Sequence, residues 1–274
     1  MAFQTWQVGL DIQNGQLCAL GIQRRRNGWQ LRHWWQHTLP HDTLTNGLVQ
    51  RPDPLIPLLR QWRKQLPRQI SLRVGFPAGL VLQHQLALPQ TSLREPERSS
   101  YITAAAKRFF PIEPEKLALD YREPALKSGQ LWLSAARREA VHSWLENLGR
   151  AGLKPQVLEL APAALFALSQ ALRLSGDAAL VHRLPDHWLW FCPRLQPEWG
   201  WSPTHEATDL TTLREKYLAE ATSFYYSSAL EEALPDGAEW LDPLAAFAFK
   251  QPPLPVFTGA FALAAGLALR PEDV

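Results

Sequence analysis

The chain is organised around residues 3–39, whose sequence is FQTWQVGLDIQNGQLCALGIQRRRNGWQLRHWWQHTL. Two hairpin signals divide this stretch, Asn14-Gly15 and Asn27-Gly28, because Asn-Gly suits the two-residue turns that join antiparallel strands. Apolar residues are frequent on both sides of each turn. The pattern therefore predicts a meander of three antiparallel strands. The predicted strands cover residues 3–12, 17–23 and 29–39.

Helices and strands are mixed after the meander. Pro52-Asp53-Pro54 precedes apolar residues at helical spacing through Leu66, and residues 70–76 form an apolar run typical of a strand. This mixture indicates the α/β class, in which helices cover a sheet. The strand-strand-strand-helix order recurs weakly after Ser175, although we find no internal sequence repeat. Further helices are predicted at 92–109, 137–148, 161–172, 208–221 and 260–269, and further strands at 80–88, 117–121, 130–135, 155–160, 178–182 and 188–192.

Length and composition exclude several classes of protein. With 274 residues, 46% of them hydrophobic and 20% charged, the chain can bury a core and is neither disordered nor fibrous. Its two cysteines cannot form a disulfide framework or, alone, a zinc site. We find no secretory signal, and the apolar run 257–269 is shorter than the roughly 20 residues that cross a bilayer. We therefore expect a cytoplasmic protein that meets a membrane only from its surface or through a partner.

The small net charge of +2 conceals a polarised chain. Residues 1–75 hold ten Lys/Arg and three Asp/Glu, a net +7, so the other 199 residues carry −5. A basic face attracts phosphate, in an anionic membrane surface or in nucleic acid. Neighbouring tryptophans could stack on single-stranded DNA, or they pack on a sheet face while the arginines lie on a hairpin tip, which we favour. The predicted basic surface is Arg24, Arg25, Arg26 and Arg32, beside Trp29, Trp34 and Trp35.

The common catalytic signatures are missing from the sequence. It contains no G-x-x-x-x-G-K-[ST], G-x-G-x-x-G, H-E-x-x-H or G-x-S-x-G. The eight histidines are scattered, and His33 and His37 share a strand face without an evident third ligand. We therefore predict no catalytic residues and no metal site.

A series of short motifs follows in order through most of the chain. They are Phe76-Pro77-Ala78, Leu86-Ala87-Leu88-Pro89, Phe109-Phe110-Pro111-Ile112, Leu119-Asp120-Tyr121, LSAARRE (133–139), AGLKP (151–155) and ALFAL (164–168), with VGLDI (8–12) and FALAAGLALR (261–270) near the ends. In this order and spacing they resemble the PilM family of type IV pilus assembly proteins, relatives of FtsA and actin.

The resemblance implies a particular α/β architecture. It is an actin-like, FtsA/PilM-type two-lobed fold with an inserted α/β subdomain and a reduced second half. Residues 1–79 would form the first subdomain, with the meander, a helix and a strand. Residues 80–153 would be the insertion. Residues 154–274 would form the second half, whose C-terminal helix returns to the first.

The resemblance also implies an ATP site, from which this chain departs. Such a pocket needs Gly- and Ser-rich turns, because small residues let backbone N–H groups approach phosphates. Asp11 remains, but Gln13-Asn14-Gly15-Gln16 replaces the first phosphate loop. The second loop, residues 182–186, lacks glycine and contains a proline, which has no N–H. We expect no cofactor and no catalysis, with weak binding of ATP and Mg²⁺ as the alternative. The predicted degenerate nucleotide pocket is Asp11, Gln13, Asn14, Gly15, Arg183, Asp186 and Gly237.

The partner implied by the resemblance is the N-terminal tail of a PilN- or HofN-like bitopic inner-membrane protein, a short apolar peptide with a basic end. Aromatic anchors suit such a peptide, but Phe109 and Phe110 could instead pack in the core, at least one of them, since adjacent helix positions face different ways. The predicted contacts are Tyr101, Lys107, Phe109, Phe110 and Tyr121.

These expectations combine into one function. We expect a non-catalytic cytoplasmic scaffold of a type IV pilus-like or DNA-uptake assembly, held at the inner face of the inner membrane by its partner. The alternatives are an ATP-binding actin-like ATPase of pilus assembly and a direct single-stranded DNA binder.

Overall fold

The structure is a computed structural model that describes residues 5–87, 94, 96–122, 130–195 and 198–271. The Leu88-Pro89 part of one motif and the predicted start of a helix at residue 92 lie outside these ranges. In chain order, the described strands are β1 (Trp6–Gln13), β2 (Gln16–Arg25), β3 (Gly28–Thr38), β4 (Leu44–Thr45), β5 (Leu48–Val49), β6 (Ile70–Phe76), β7 (Val81–Ala87), β8 (Leu117–Arg122), β9 (Gln130–Arg137), β10 (Val157–Leu160), β11 (Ala178–Arg183), β12 (His187–Phe191), β13 (Trp199–Pro203), β14 (Ser223–Ser228) and β15 (Glu239–Trp240). The described helices are α1 (Pro52–Arg63), α2 (Glu97–Phe109), α3 (Arg138–Arg150), α4 (Ala161–Leu172), α5 (Leu210–Tyr217) and α6 (Ala262–Leu269).

The chain divides into two compact units. One contains residues 1–78 and 148–274, and the other contains residues 79–147. The finer boundaries expected from the sequence stay a prediction. Among the described residues, no helix is both long enough and apolar enough to cross a membrane.

The meander predicted from residues 3–39 is confirmed over residues 5–39, and residues 3 and 4 of its first predicted strand lie outside the described ranges. Strands β1, β2 and β3 pair antiparallel, and Gly15 takes a φ of 88° in the first turn, a conformation that favours glycine. Strands β6 and β10 then add in parallel, so the sheet order is β10-β6-β1-β2-β3. The hydrophobic residues of β1 and β2 are almost entirely buried.

A second sheet repeats this topology. Strands β11, β12 and β13 form an antiparallel meander, and β14 and β15 add in parallel beside β11. The order β13-β12-β11-β14-β15 is therefore equivalent to that of the first sheet. The recurrence that is weak in the sequence after Ser175 is plain in the strand order.

Two helices build the core shared by these sheets. Helix α6 contacts β1, β2 and β6, helix α4 contacts β12, and the two helices pack on each other. Their backbones approach so closely that a Cβ on Gly266 would lie 1.9 Å from the carbonyl oxygen of Ala164. At the end of α6, buried Arg270 pairs with buried Glu159 next to the end of β10. Predicted position and observed position agree for α4, while α6 begins two residues later than predicted.

The unit of residues 79–147 has its own core. Its sheet is antiparallel in the order β7-β9-β8, and α2 packs on it. The α2 residues Ile102 and Ala106 are buried together with Leu131 and Leu133 of β9.

Candidate functional site

The corresponding turns of the two sheets meet at one place. Asn14, in the turn between β1 and β2, donates an amide hydrogen bond to Asp186, in the turn between β11 and β12, with 3.5 Å between Nδ2 and Oδ2. The repeated topology explains the meeting, since each turn follows the first strand of its sheet. We call this region the paired-turn site. It comprises Asp11, Gln13, Asn14, His182, Asp186 and His187.

Asp11 is the most deeply buried carboxyl of the paired-turn site, with 1% of its surface exposed. Gln13 Nε2 donates to Asp11 Oδ1 at 2.7 Å. Burial raises the Asp11 pKa to about 7, although the Gln13 hydrogen bond and the charge of His187 oppose the rise. Cys18 of β2 lies opposite Asp11 of β1 in the sheet. Burial and the Asp11 charge raise the pKa of the Cys18 thiol. Asp11 is therefore a carboxyl that titrates near neutral pH, well above the ordinary range of aspartate.

The second turn contributes an acid beside an imidazole. His187 Nδ1 lies 2.6 Å from Asp186 Oδ1. Burial alone would raise the Asp186 pKa, but hydrogen bonds from His187 and Asn14 and the charge of His187 outweigh it, so that pKa is lowered. Asp186 therefore remains ionised at neutral pH, where Asp11 is still titrating.

His182 is buried behind this pair. Its Nδ1 lies 2.8 Å from Ser227 Oγ, and burial, with a smaller effect from His187, lowers the His182 pKa to about 3. The imidazole is therefore neutral at physiological pH. His182 and His187 are not among the predicted site residues, although His182 lies within the predicted second loop, residues 182–186, and His187 follows it directly.

The other predicted pocket residues have local structural roles. Arg183 donates to Glu232 at 3.0 Å and lies over the Trp188 ring, 5.1 Å from its centroid. Gly237 belongs to the turn before β15, where its φ of 74° favours glycine and a Cβ would lie 3.0 Å from Arg214 Nη1. Across the described ranges, no group of three or more His, Cys, Asp or Glu side chains could hold a metal ion.

The predicted peptide contacts lie on α2 and β8, within residues 79–147. Phe110 is 7% exposed and belongs to the core of this unit, as the alternative interpretation expected. Phe109 is half-buried and stacks on His84, with 3.6 Å between ring centroids. Lys107 is exposed. The aromatic surface of this unit consists of Tyr101, Phe109 and Tyr121, together with the exposed Lys107.

Both tyrosines of the aromatic surface are anchored by polar contacts. The Tyr101 hydroxyl donates to the Ala87 carbonyl at 2.8 Å. The Tyr121 ring lies under the Arg98 guanidinium, 4.8 Å from its centroid. These contacts orient the rings while leaving part of each exposed.

A shallow open pocket of about 490 Å³ borders the aromatic surface. Lys107, Phe110 and residues 111–115 line it. Its lining combines apolar Phe110, Pro111 and Ile112 with the acidic Glu113 and Glu115, both exposed. The peptide contacts predicted from sequence do not include these acids, although both follow the end of α2 closely in the chain.

The tryptophans near the basic surface are engaged inside the protein. Trp34 Nε1 donates to the Pro253 carbonyl at 2.8 Å, and the Trp34 ring meets Phe261 edge to face. Trp35 stacks on Trp62 with 5.2 Å between centroids. The prediction that these aromatic side chains pack against the sheet is confirmed.

Comparisons with known proteins agree with one another. The family model for type IV pilus assembly protein PilM matches residues 9–187. The DNA utilization protein HofM of Escherichia coli (strain K12) is 28% identical over 283 residues, covering 98% of each chain.

Two solved structures are similar over almost the whole chain. The first is a PilM–PilN type IV pilus biogenesis complex, with TM-score 0.68, 18% identity and 98% of both chains covered. The second is the cytoplasmic domain of EpsL, an inner-membrane component of the type II secretion system of Vibrio cholerae. It has TM-score 0.61 and 12% identity, covering 97% of this chain and 95% of that one.

Proposed function

Because the chain belongs to the PilM family of type IV pilus assembly proteins, we propose that it is a non-catalytic scaffold that binds the cytoplasmic N-terminal tail of a PilN- or HofN-like membrane protein. Its fold is actin-like. The family match over residues 9–187 carries the proposal, since that range includes the aromatic surface and the paired-turn site through His187. The assembly is a type IV pilus or a related DNA-uptake machine.

The paired-turn site supports the absence of catalysis. Asp11 is buried and bound to Gln13, whereas a carboxylate that holds a Mg²⁺-bound water must be ionised and reachable. Asn14 reaches across to Asp186, so side chains join the two turns that would have to receive phosphates. Pro185 has no backbone N–H for an anion, and the lowered pKa of Asp186 keeps a negative charge there. ATP would meet repulsion and few donors.

The pocket beside the aromatic surface supports binding of the tail. An apolar peptide with a basic end needs an apolar floor and a nearby negative charge. Phe110, Pro111 and Ile112 supply apolar lining, and Glu113 and Glu115 supply carboxylates. Glu113 already pairs with Lys116 at 2.7 Å, so Glu115 is the better counter-charge for an arginine of the tail.

A charge reversal at Glu115 tests this assignment. We expect Glu115→Lys to weaken binding of a labelled Asn-Leu-Leu-Pro-Tyr-Arg peptide about fivefold in fluorescence anisotropy, the range of a single exposed charge pair. A peptide ending in Glu should regain affinity for this variant. Lys107→Ala, a change on the aromatic surface, should alter affinity without altering the circular dichroism spectrum.

The matched control is Glu139→Lys, which changes an exposed acid near the start of α3 in the same unit. It should bind the peptide as the parent protein does. Equal loss of affinity in both variants, or no recovery with the acidic peptide, would remove the pocket from the proposed site.

The location follows from the partner. A protein that binds the cytoplasmic tail of an inner-membrane protein works in the cytoplasm, at the inner face of that membrane.

A further inference from the structure

The tip of the β2–β3 hairpin carries unpaired positive charge. Arg24, Arg25 and Arg26 are exposed, and none of them pairs with a carboxylate in the part of the chain that the structure describes. Arg24 lies over the Trp29 ring, 5.0 Å from its centroid, and Arg25 Nε donates to Gln30 Oε1 at 2.8 Å. These contacts hold the side chains of Arg24 and Arg25 in place, and the charges of all three arginines remain available.

A segment from the second half of the chain lies along this hairpin. The Leu31 N–H donates to the Phe249 carbonyl at 2.9 Å, and the Phe249 N–H donates to the Trp29 carbonyl at 3.2 Å. Pro253 is held by the indole of Trp34, as described above. The segment 248–256, which we call the apolar strap, is therefore fastened beside β3.

The apolar strap exposes several apolar side chains. Phe249 is 43% exposed and Val256 is fully exposed. Pro252 and Pro253 between them are exposed as well. Single exposed apolar residues are ordinary, but Phe249 is hydrogen-bonded beside the hairpin tip with its three arginines, and the exposed prolines and Val256 continue the apolar surface along the strap, which marks an interaction surface.

We propose that the hairpin tip and the apolar strap together dock on an anionic phospholipid bilayer. Guanidinium groups bind lipid phosphates, and apolar side chains enter the boundary between headgroups and acyl chains. Single-stranded DNA fits the same charges less well, because Phe249 is the one aromatic side chain of the strap, the other exposed apolar side chains there are aliphatic or prolyl, and Trp34 and Trp35 are engaged internally. The surface goes beyond the proposed tail binding, since it needs no protein partner.

Vesicle binding by the full chain, without any partner, tests the proposal. The probe is vesicles with about two parts phosphatidylcholine to one part phosphatidylglycerol, compared with pure phosphatidylcholine in a sedimentation assay. The triple variant Arg24→Gln, Arg25→Gln, Arg26→Gln should lower the partition coefficient roughly 100-fold, and salt should weaken binding by the parent protein. The separate double variant Phe249→Ser, Val256→Ser should also lower the partition coefficient relative to the parent protein, and it leaves the net charge unchanged.

The control variant removes the same charge elsewhere. Lys64→Gln, Arg68→Gln, Lys154→Gln changes three exposed basic residues of the same unit and should bind vesicles like the parent protein. Equal loss in both triple variants, no binding by the parent protein, or no effect of the Phe249/Val256 variant would overturn the proposal. Displacement of the protein from vesicles by a single-stranded oligonucleotide would also overturn the proposal if binding of the oligonucleotide needs Arg24–Arg26. Nucleic acid would then be the occupant of this surface. Tail binding is measured separately, so either proposal can fail alone.

Discussion

Asp11 illustrates how a retained motif residue changes its chemistry with its neighbours. The sequence indicated correctly that it would lie beside the β1–β2 turn, because Asn14-Gly15 requires a hairpin there. The sequence could not indicate that Gln13 would turn back to bind it or that His187 would lie close enough to influence its pKa. Such effects depend on burial and on residues distant in sequence, which local patterns do not encode.

The raised Asp11 pKa makes stability depend on pH. The pKa of Asp11 is 3.8 in the unfolded chain and about 7 in the folded protein. Between these pH values the carboxyl is ionised in the unfolded state but still protonated in the folded state. The folded state therefore loses relative stability as the pH rises from about 4 to about 7. Asp11→Asn cannot ionise and keeps an acceptor for Gln13. We expect it to gain up to about 4 kcal/mol of unfolding free energy at pH 8 relative to pH 4, compared with the parent protein.

Urea unfolding at both pH values measures this difference. Asp236→Asn, which makes the same substitution at an exposed position, serves as the control. A difference between Asp11→Asn and the parent that is independent of pH would contradict the pKa assigned to Asp11.

Among the elements, long apolar or amphipathic segments were predictable and short polar ones were not. The meander, α1, β6 and α4 match their predicted ranges closely. By contrast, β14 was missed because its serines interrupt the apolar pattern. In the fold, Ser227 contacts His182 and Ser228 donates to Glu232, so the polar groups are satisfied inside the sheet.

Helix α5 is shorter than the sequence predicts. The sequence predicts a helix over 208–221, but the observed helix begins after Asp209, which caps it by accepting the Thr212 N–H at 2.8 Å, and ends at Tyr217. The cap residue follows a common preference for Asp, whereas the early end does not follow from composition.

The close contact between α4 and α6 depends on Gly266 having no side chain. A Cβ at Gly266 would overlap the Ala164 carbonyl, so Gly266→Ala must separate the two helices. We expect a loss of about 1–3 kcal/mol in the free energy of unfolding, the usual range for overpacking. Urea unfolding measures it.

The comparison variant is Gly149→Ala in α3. No atom lies within 4 Å of a Cβ at this position, and alanine favours helix, so the change should stabilise by up to about 1 kcal/mol. A Gly266→Ala variant as stable as Gly149→Ala would show that the helix contact is looser than the structure indicates.

At the scale of the whole molecule, the two equivalent sheets explain why distant turns form one site. The resemblance to actin relatives predicted an actin-like fold correctly, but the strand order of the second sheet depends on pairings that short strands such as β15 do not reveal in sequence. The charge separation between residues 1–75 and the remainder was visible in sequence, whereas its combination with the apolar strap required the fold.

A thermal shift with MgATP tests the nucleotide prediction for the whole protein. A ligand at 100 times its dissociation constant stabilises a protein by about 2.7 kcal/mol, which moves the midpoint by several degrees. We expect no movement at millimolar MgATP, because Asp11 is buried and side chains join the two turns. A clear, saturable rise would contradict the degenerate pocket and favour the ATP-binding alternative.

We propose above that this protein binds the tail of a membrane partner. A calorimetric titration with the Asn-Leu-Leu-Pro-Tyr-Arg peptide, against a scrambled peptide of the same composition, measures this directly. We expect one saturable site with a dissociation constant below about 100 µM for the ordered peptide and none for the scrambled one. Absence of saturable binding in that range, or equal binding of both peptides, would contradict it.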